Sequence, residues 1–320
     1  MLFFRILPVF AILFVGYAAG AFRLFPSTRQ AIEVLNRMSL YLAAPLLIFA
    51  GMVDPALELP LRPGFYVAHV AALAVGLLLV VVLRGVSTLR AHAGTLALAV
   101  AYGNITFLGI PVIHRAFGDE ALGLAALSSG VHTVLAMTVG PALFLLWNER
   151  ADEERIGFAD VGRRLVRQPL VWAPIVGLAM RVFSDSAQAV MFDYAMIIGV
   201  SAGPMAIFML GLYVWESRSA LRRLRFPSVV AVGLKLVMLP IVTLGILLLL
   251  RPVLPITALE SAVILSQSAM PTAITTYSLA EEYRNDRETV ASAAILSAIV
   301  ALVTLPLVMS LAEHLFLHFP

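Results

Sequence analysis

The 320-residue sequence has no cysteine, which excludes disulfide bonds, thiolate metal sites and cysteine nucleophiles. Charge is scarce too, since Asp, Glu, Lys and Arg make up 13% of the chain against about 25% in a typical soluble protein. Lysine occurs once, as Lys235. Because 61% of the residues are hydrophobic, the polar residues are too few to cover a single core in water.

Apolar runs recur along the whole chain instead. A hydrocarbon layer of about 30 Å requires about 20 apolar residues in a helix that rises about 1.5 Å per residue. The sequence therefore predicts an all-α integral membrane protein with ten transmembrane helices. These predicted spans, numbered one to ten in chain order, are 2–22, 32–52, 65–84, 94–116, 120–147, 169–186, 190–215, 228–250, 258–280 and 289–312.

The distribution of arginine predicts the orientation. If the N-terminus lies outside, fifteen arginines fall in the cytoplasmic loops and four, Arg62, Arg115, Arg181 and Arg251, fall on the opposite side. Basic residues concentrate on the cytoplasmic side of membrane proteins, so both termini are predicted to lie outside the cell. The membrane itself is predicted to be the inner (plasma) membrane of a bacterium. Since these loop arginines account for the net charge of +3, nucleic-acid binding is not expected.

The prolines indicate an internal repeat. Pro45, with Ile48 and Phe49 after it, has a counterpart 159 residues later in Pro204, with Ile207 and Phe208 after it. Further landmarks follow in the same order: Pro8 with Pro174, Pro111 with Pro271, and Thr138–Pro141 with Thr304–Pro306. A duplication explains this order more simply than chance does.

The predicted halves are 1–147 and 169–320, joined by a polar cytoplasmic linker at 148–168. Each half has five spans, and an odd number makes the second half enter the membrane upside down relative to the first. Inverted repeats are typical of secondary transporters, in which exchange of the conformations of the two halves moves the opening from one side to the other. Duplication without transport is the alternative.

Two segments predict interrupted helices. Span four contains Gly103, Asn104, Gly109 and Pro111, and span nine has a polar run from Ser266 to Tyr277 around Pro271. Proline removes a backbone donor, and glycine costs about 1 kcal/mol relative to alanine inside a helix. Backbone groups freed in the bilayer must face protein or a water-filled cavity. Spans four and nine are therefore predicted to be broken and to cross at the midplane, although a plain proline kink is the alternative.

The predicted crossing makes a substrate site for an anion. Half-helices that restart after each break carry about half a positive charge at their N-termini, which favours an anion without a dedicated cation. The predicted substrate-binding residues are Asn104, Ile105, Pro111, Gln267, Ser268, Pro271 and Thr272.

Two basic residues within spans are candidates for a coupling ion or a counter-ion. Lys235 in span eight could also snorkel toward the cytoplasm or bond to the carbonyls of a broken helix. His132 in span five could carry a proton or simply be a packed histidine.

Enzymatic motifs are lacking. The sequence contains no His-Glu-x-x-His and no Gly-x-Ser-x-Gly, so no enzyme activity, metal or cofactor is expected. No Asp or Glu occurs between Gly94 and Phe117 or between Ser261 and Ala280, which disfavours a carboxylate-based cation site at the crossing. A channel or a sensor stays an alternative.

The residues of spans four and nine also carry a resemblance. Asn104 to Pro111, in the pattern Asn-x-x-Phe-Leu-Gly-Ile-Pro, is followed by Phe117-Gly118, and Ala269-Met270-Pro271 is followed by Leu279-Ala280. With these motifs and Pro45, the chain resembles the auxin efflux carrier family along essentially its full length. That family includes the plant PIN proteins and bacterial relatives assigned as malonate carriers.

The resemblance implies a five-plus-five fold like that of bile-acid symporters and sodium/proton antiporters, with scaffold and transport domains that move by an elevator-type motion. It also implies a homodimer and a substrate site where spans four and nine cross, with Asn104 and Pro271 at the positions that contact the anion. The expected function is a carrier of small organic anions, such as auxin-like monocarboxylates or malonate-type dicarboxylates. A sodium- or proton-coupled symporter or antiporter on the same scaffold is the alternative.

Overall fold

The fold is helical in the computed structural model, which describes residues 2–55, 62–147, 162–163, 166–219, 224–273, 276, 280 and 286–318. The helices are α1 (Leu2–Ala21), α2 (Thr28–Val53), α3 (Pro63–Leu83), α4 (Ser87–Arg90), α5 (Ala93–Ala101), α6 (Ile105–Phe117), α7 (Glu120–Trp147), α8 (Pro169–Met180), α9 (Asp185–Gly199), α10 (Ala202–Glu216), α11 (Phe226–Leu250), α12 (Ala258–Ser268) and α13 (Arg287–Ala312, continued to His318).

The long helices are apolar enough to cross a membrane. Within the described residues, five stretches meet this criterion by length and composition: α2, α3, α9 with α10, α11 and α13. Shorter apolar helices lie at Phe10–Ala21, Ile105–Phe117, Glu120–Ala136 and Pro169–Met180. The protein is therefore embedded in a membrane, while the count of ten spans stays a prediction.

Short π-helical segments precede several prolines. Ser39–Ala43 lies before Pro45, Ile105–Gly109 before Pro111, and Leu234–Met238 before Pro240. Proline has no N–H and its ring clashes with the carbonyl four residues earlier, so a wider turn before it relieves the clash without ending the helix. These prolines thus locally widen helices that continue beyond them.

The chain packs as two compact units. Unit 1 comprises Met1–Leu61, Ile105–Val131 and Gln168–Arg218. In it, α1 packs along α10, and α2 packs against α8 and α9. Glycines let these helices approach closely, because a Cβ on Gly16 would lie 2.0 Å from the Phe208 carbonyl oxygen and one on Gly211 would lie 2.1 Å from that of Leu13.

Unit 2 comprises Arg62–Asn104, His132–Arg167 and Ser219–Pro320. Its core surrounds α5, whose residues from Ala93 to Ala101 are all buried. Helix α3 packs against α5 and α11, and α13 packs against α11 and α12. A nine-residue helix with no exposed face can only be stable inside other helices, so unit 2 is built around α5.

The two units are defined by packing and each takes segments from both predicted halves. Packing and sequence duplication are different properties of the chain, so the predicted halves 1–147 and 169–320 stay a prediction. Most of the predicted linker 148–168 lies outside the described residues.

Candidate functional site

Span four is interrupted, as its glycine and asparagine predicted. Helix α5 ends at Ala101, residues 102–104 are not helical, and a helix resumes at Ile105. In span nine, α12 ends at Ser268 and residues 269–273 are not helical. Most of the residues between 274 and 285 lie outside the described part, so whether a helix restarts after Pro271 stays a prediction.

The two non-helical segments pair with each other within unit 2. The Asn104 N–H donates to the Pro271 carbonyl at 2.7 Å, and the Ala273 N–H donates to the Tyr102 carbonyl at 2.9 Å. Gly103 and Thr272 lie opposite each other between these bonds as an antiparallel bridge. Pro271 is suited to this pairing because it has no N–H to donate and the pairing uses only its carbonyl. Backbone groups that leave the helices at this point are therefore bonded to each other.

The last carbonyls of α5 also have donors. A helix ends with four carbonyls that lack intrahelical partners, and leaving them bare inside a membrane is costly. Here each is satisfied from a different element: Leu98 by the Tyr102 N–H at 2.9 Å, Ala99 by the Thr272 hydroxyl at 3.2 Å, Val100 by the Lys235 ammonium at 3.2 Å, and Ala101 by His132 Nε2 at 2.7 Å.

Lys235 is fully buried and lies in the π-helical segment of α11. Of the roles that the sequence left open, the structure shows bonding to a broken-helix carbonyl, since Nζ contacts Val100 O. A helix C-terminus carries a partial negative charge, so an ammonium at this point is favourable. Because its side chain is 0% exposed, Lys235 does not snorkel to the membrane surface.

His132 is buried beside the same helix end, and its Nε2 must carry the hydrogen because a carbonyl can only accept. A second buried histidine, His69 on α3, lies with its ring centroid 6.5 Å from that of His132. The sequence prediction missed His69. The usable signal was an ionisable residue in an otherwise apolar run, which is rare in membrane helices and marks functional sites.

The predicted substrate residues fall into two groups. Asn104, Gln267, Ser268, Pro271 and Thr272 belong to unit 2, whereas Ile105 and Pro111 belong to unit 1. Pro111 lies within α6, just after its π-helical segment and seven residues beyond Asn104, and it lies against Gly203 of α10. Of the residues that predicted the break in span four, Gly103 and Asn104 therefore lie in it, whereas Pro111 lies in the helix that follows.

The side chains in unit 2 differ in how they are bonded. The Ser268 hydroxyl donates to Leu265 O at 2.7 Å within its own helix. The Thr272 N–H donates to the Ser297 hydroxyl of α13 at 3.1 Å. Asn104 is 5% exposed, and its Oδ1 has no hydrogen-bond partner within the described structure. Among the predicted residues, Asn104 thus combines burial with an available polar atom.

An ionic cluster joins the starts of three helices of unit 2. Asp286 caps α13 and pairs with Arg225 at 3.2 Å, at the start of α11, and with His92 at 3.4 Å, at the start of α5. Three helices thus begin at one level. Ala101, Lys235 and Ser297 follow 8 to 10 residues later, which is about 12 to 15 Å along a helix. The break therefore lies about two to three helical turns from this cluster along the helices of unit 2.

The Asp286 carboxylate prefers its ionised form in the fold. Burial raises its pKa, but hydrogen bonds from the hydroxyl and N–H of Thr289, with the charges of Arg225 and His92, outweigh this and leave the pKa below its ordinary value. Glu288 adds a further pair with Arg225. The cluster is therefore held by charge at neutral pH.

Metal binding has no support in the described residues, which contain no group of three or more His, Asp or Glu placed to hold an ion. What the break offers is a buried amide beside paired backbone segments, with a cationic and a histidine donor one turn away.

Comparison with known proteins gives consistent matches over the full length. A 26% identical protein of Rhizobium meliloti (strain 1021), described as "Putative malonate transporter", aligns over 310 residues, 93% of this chain and 92% of the relative. An uncharacterized transporter of Methanocaldococcus jannaschii is 23% identical over 94% of this chain and 96% of its own. One of Methanothermobacter thermautotrophicus is 26% identical over 94% and 95%.

The family model described as "Membrane transport protein" matches residues 1–309. This is the family that the motifs of spans four and nine indicated. The chain therefore belongs to the auxin efflux carrier-like family of membrane transport proteins.

Proposed function

We propose that the protein is a secondary carrier that moves small organic anions across a bacterial inner membrane by alternating access. Its substrate site is the helix break of spans four and nine, and the observation that carries this is the pairing of Tyr102–Asn104 with Pro271–Ala273 around the buried Asn104. In this proposal the chain has ten spans in two inverted halves, with both termini outside, and works as a homodimer in the lipid bilayer.

Several predicted repeat partners have matching surroundings, which supports the inverted halves. Pro8 and Pro174 both lie inside helices. The hydroxyls of Thr138 and Thr304 both donate to the carbonyl four residues earlier, at 2.8 and 3.3 Å. Unit 1 contains the first two spans of each half, one and two with six and seven. The first two spans of each half thus lie in the same unit, which supports the proposed duplication.

An anion is the substrate that the break favours. Lys235, which bonds to Val100 O within the same unit as Asn104, carries a positive charge when protonated and then attracts an anion. The Asn104 amide can turn either its oxygen or its NH₂ group toward a ligand, and NH₂ is a donor for a carboxylate. Dicarboxylates of the malonate type are the first candidates, given what the Rhizobium meliloti relative is named for.

Sodium coupling, the main alternative, is disfavoured by the donors at the end of α5. In transporters with broken helices, sodium is coordinated by freed carbonyls and by helix C-termini. Here the carbonyls of Ala99, Val100 and Ala101 accept bonds from Thr272, Lys235 and His132. The Lys235 side chain already donates to Val100 O, and when protonated it would repel a second cation. We therefore favour a carrier that does not use sodium.

Ligand-induced thermal stabilisation of the purified protein tests the proposed site. Malonate and other carboxylates should raise the unfolding temperature, since a ligand that binds only the folded protein stabilises it. Asn104→Ala should abolish the shift while the unliganded protein unfolds normally. Thr243→Val is a matched control, because Thr243 is buried in unit 2 but bonds only to Leu239 O of its own helix in the described structure.

Two results would contradict the proposal. One is a carboxylate panel without any stabilising member, and the other is a full malonate shift in Asn104→Ala. Loss of the shift in both variants would indicate general damage to unit 2 and would also count against a site at Asn104.

A further inference from the structure

We propose that His69 and His132 form a proton-binding site that couples anion transport to the proton gradient, so that each anion moves together with a proton. This inference rests on the proposed anion carrier and assigns its coupling ion. His69 has no role in anything described above, and His132 serves there only as a hydrogen-bond donor.

The two rings lie side by side in the interior of unit 2. Their centroids are 6.5 Å apart and their planes meet at 76°. Both side chains are more than nine-tenths buried, at 6% and 8% exposed. Phe65, fully buried, stacks beside His69 with ring centroids 5.6 Å apart. Imidazole can gain and lose a proton, and buried ionisable side chains within membrane helices mark proton pathways.

Covalent and hydrogen-bonded contacts link this pair to the anion site. His132 Nε2–H donates to the Ala101 carbonyl at 2.7 Å, and three residues later the Asn104 N–H is bonded to Pro271. Because Nε2 holds its hydrogen for this bond, Nδ1 is the atom of His132 that takes up the additional proton. The charged groups that face His132 are Lys235 of α11 and His69 of α3, and α5 presents the Ala101 carbonyl.

Proton and anion binding should therefore support each other. A proton on His132 adds a positive charge at the end of α5, close to Asn104. This charge attracts the anion. The bound anion in turn offsets the repulsion from Lys235 that opposes this proton. Coupling of this kind is reciprocal by thermodynamic necessity. The proton comes from water on one side and returns to water on the other, so no further reactant is needed.

Proteoliposomes containing a trapped pH dye test the inference, with labelled malonate as the probe and the membrane potential held at zero by potassium and valinomycin. Malonate entry should acidify the interior. An inward proton gradient should raise malonate accumulation about tenfold per pH unit for a single coupled proton. His132→Gln keeps an NH₂ donor for Ala101 O but cannot bind a proton, and His69→Gln removes the second ring in the same way. In both variants proton entry per malonate taken up should fall to background, and in His132→Gln the apparent affinity for malonate should fall as well, because the attracting charge is lost.

Three results would overturn the inference in distinguishable ways. Absence of malonate uptake by the wild-type protein would remove the proposed function and the inference with it. Wild-type uptake without acidification would remove only the inference. Proton entry that is undiminished in both glutamine variants would show that the proton travels elsewhere. Should both variants fail to fold, the wild-type proton measurement still decides.

Discussion

The closest helix contact in unit 1 allows one substitution to be predicted in both sign and size. Helices α1 and α10 meet where a Cβ on Gly211 would lie 2.1 Å from Leu13 O and 2.6 Å from the Tyr17 nitrogen. Both obstacles are backbone atoms, so no side-chain rotation can make room. In Gly211→Ala the helices must separate by roughly 0.9 Å to bring the first distance to 3.0 Å.

The cost follows from packing. Where α1 and α10 are separated by 0.5 to 1 Å, each dispersion contact between them loses about a quarter to a half of its energy. Overpacking a core typically costs about 1–3 kcal/mol. The gain in helix propensity from glycine to alanine, about 0.5–1 kcal/mol, only partly offsets it. Gly211→Ala should thus lower the free energy of unfolding by about 1–2 kcal/mol.

Gly245→Ala on α11 is the matched control, because in the described structure a Cβ there meets no atom within 4 Å. It should leave stability unchanged or raise it by about 0.5–1 kcal/mol. Equilibrium unfolding in detergent micelles with increasing sodium dodecyl sulfate compares the two variants with the wild type. Equal stability of the two variants would refute the close contact between α1 and α10.

Three further predictions concern unit 2. Thr272→Val removes the donor to the buried Ala99 carbonyl, so thermal unfolding should reveal a loss of about 1–3 kcal/mol, and wild-type stability would contradict this. Malonate uptake should be unchanged when choline replaces sodium, because the α5 carbonyls already have donors; a sodium requirement would reverse our choice between the alternatives. Asp286→Asn keeps a capping side chain but loses the charge, so it should be less stable than wild type at neutral pH. The pKa of Asp286 is lower in the folded protein than its ordinary value of 3.8, so its charge stabilises the fold above that pH. The difference in unfolding temperature between wild type and Asp286→Asn should therefore shrink as the pH falls below 3.8. A difference that stays constant with pH would disprove the role of charge.

Local chemistry made the helix break predictable from the sequence. Gly103 and Asn104 are poor helix formers in an otherwise apolar run, and Pro271 cannot donate, so an interruption near both was expected. Its position in span four was harder, because Pro111 suggested a break that the preceding π-helical turn instead absorbs. Helix propensity thus indicates that a helix is irregular somewhere in a run of residues. The packing of neighbouring helices decides which residue leaves the helix.

The sequence allowed Lys235 to bond to a broken helix, but it could not predict which carbonyl each donor reaches. Lys235 bonds to a carbonyl 135 residues earlier, and Thr272 to one 173 residues earlier. No local pattern encodes such pairs, since they depend on which helices become neighbours in unit 2. His69 carried a local signal, an ionisable residue in an apolar run, but its position beside His132 depends on the same packing of helices.

Counterflow of labelled malonate in proteoliposomes tests the central claim most directly, because it measures exchange through the carrier without requiring a gradient. We expect saturable exchange in the wild-type protein and in Thr243→Val, and loss of exchange in Asn104→Ala despite normal folding. Wild-type rates of exchange in Asn104→Ala would show that the anion does not pass through the helix break.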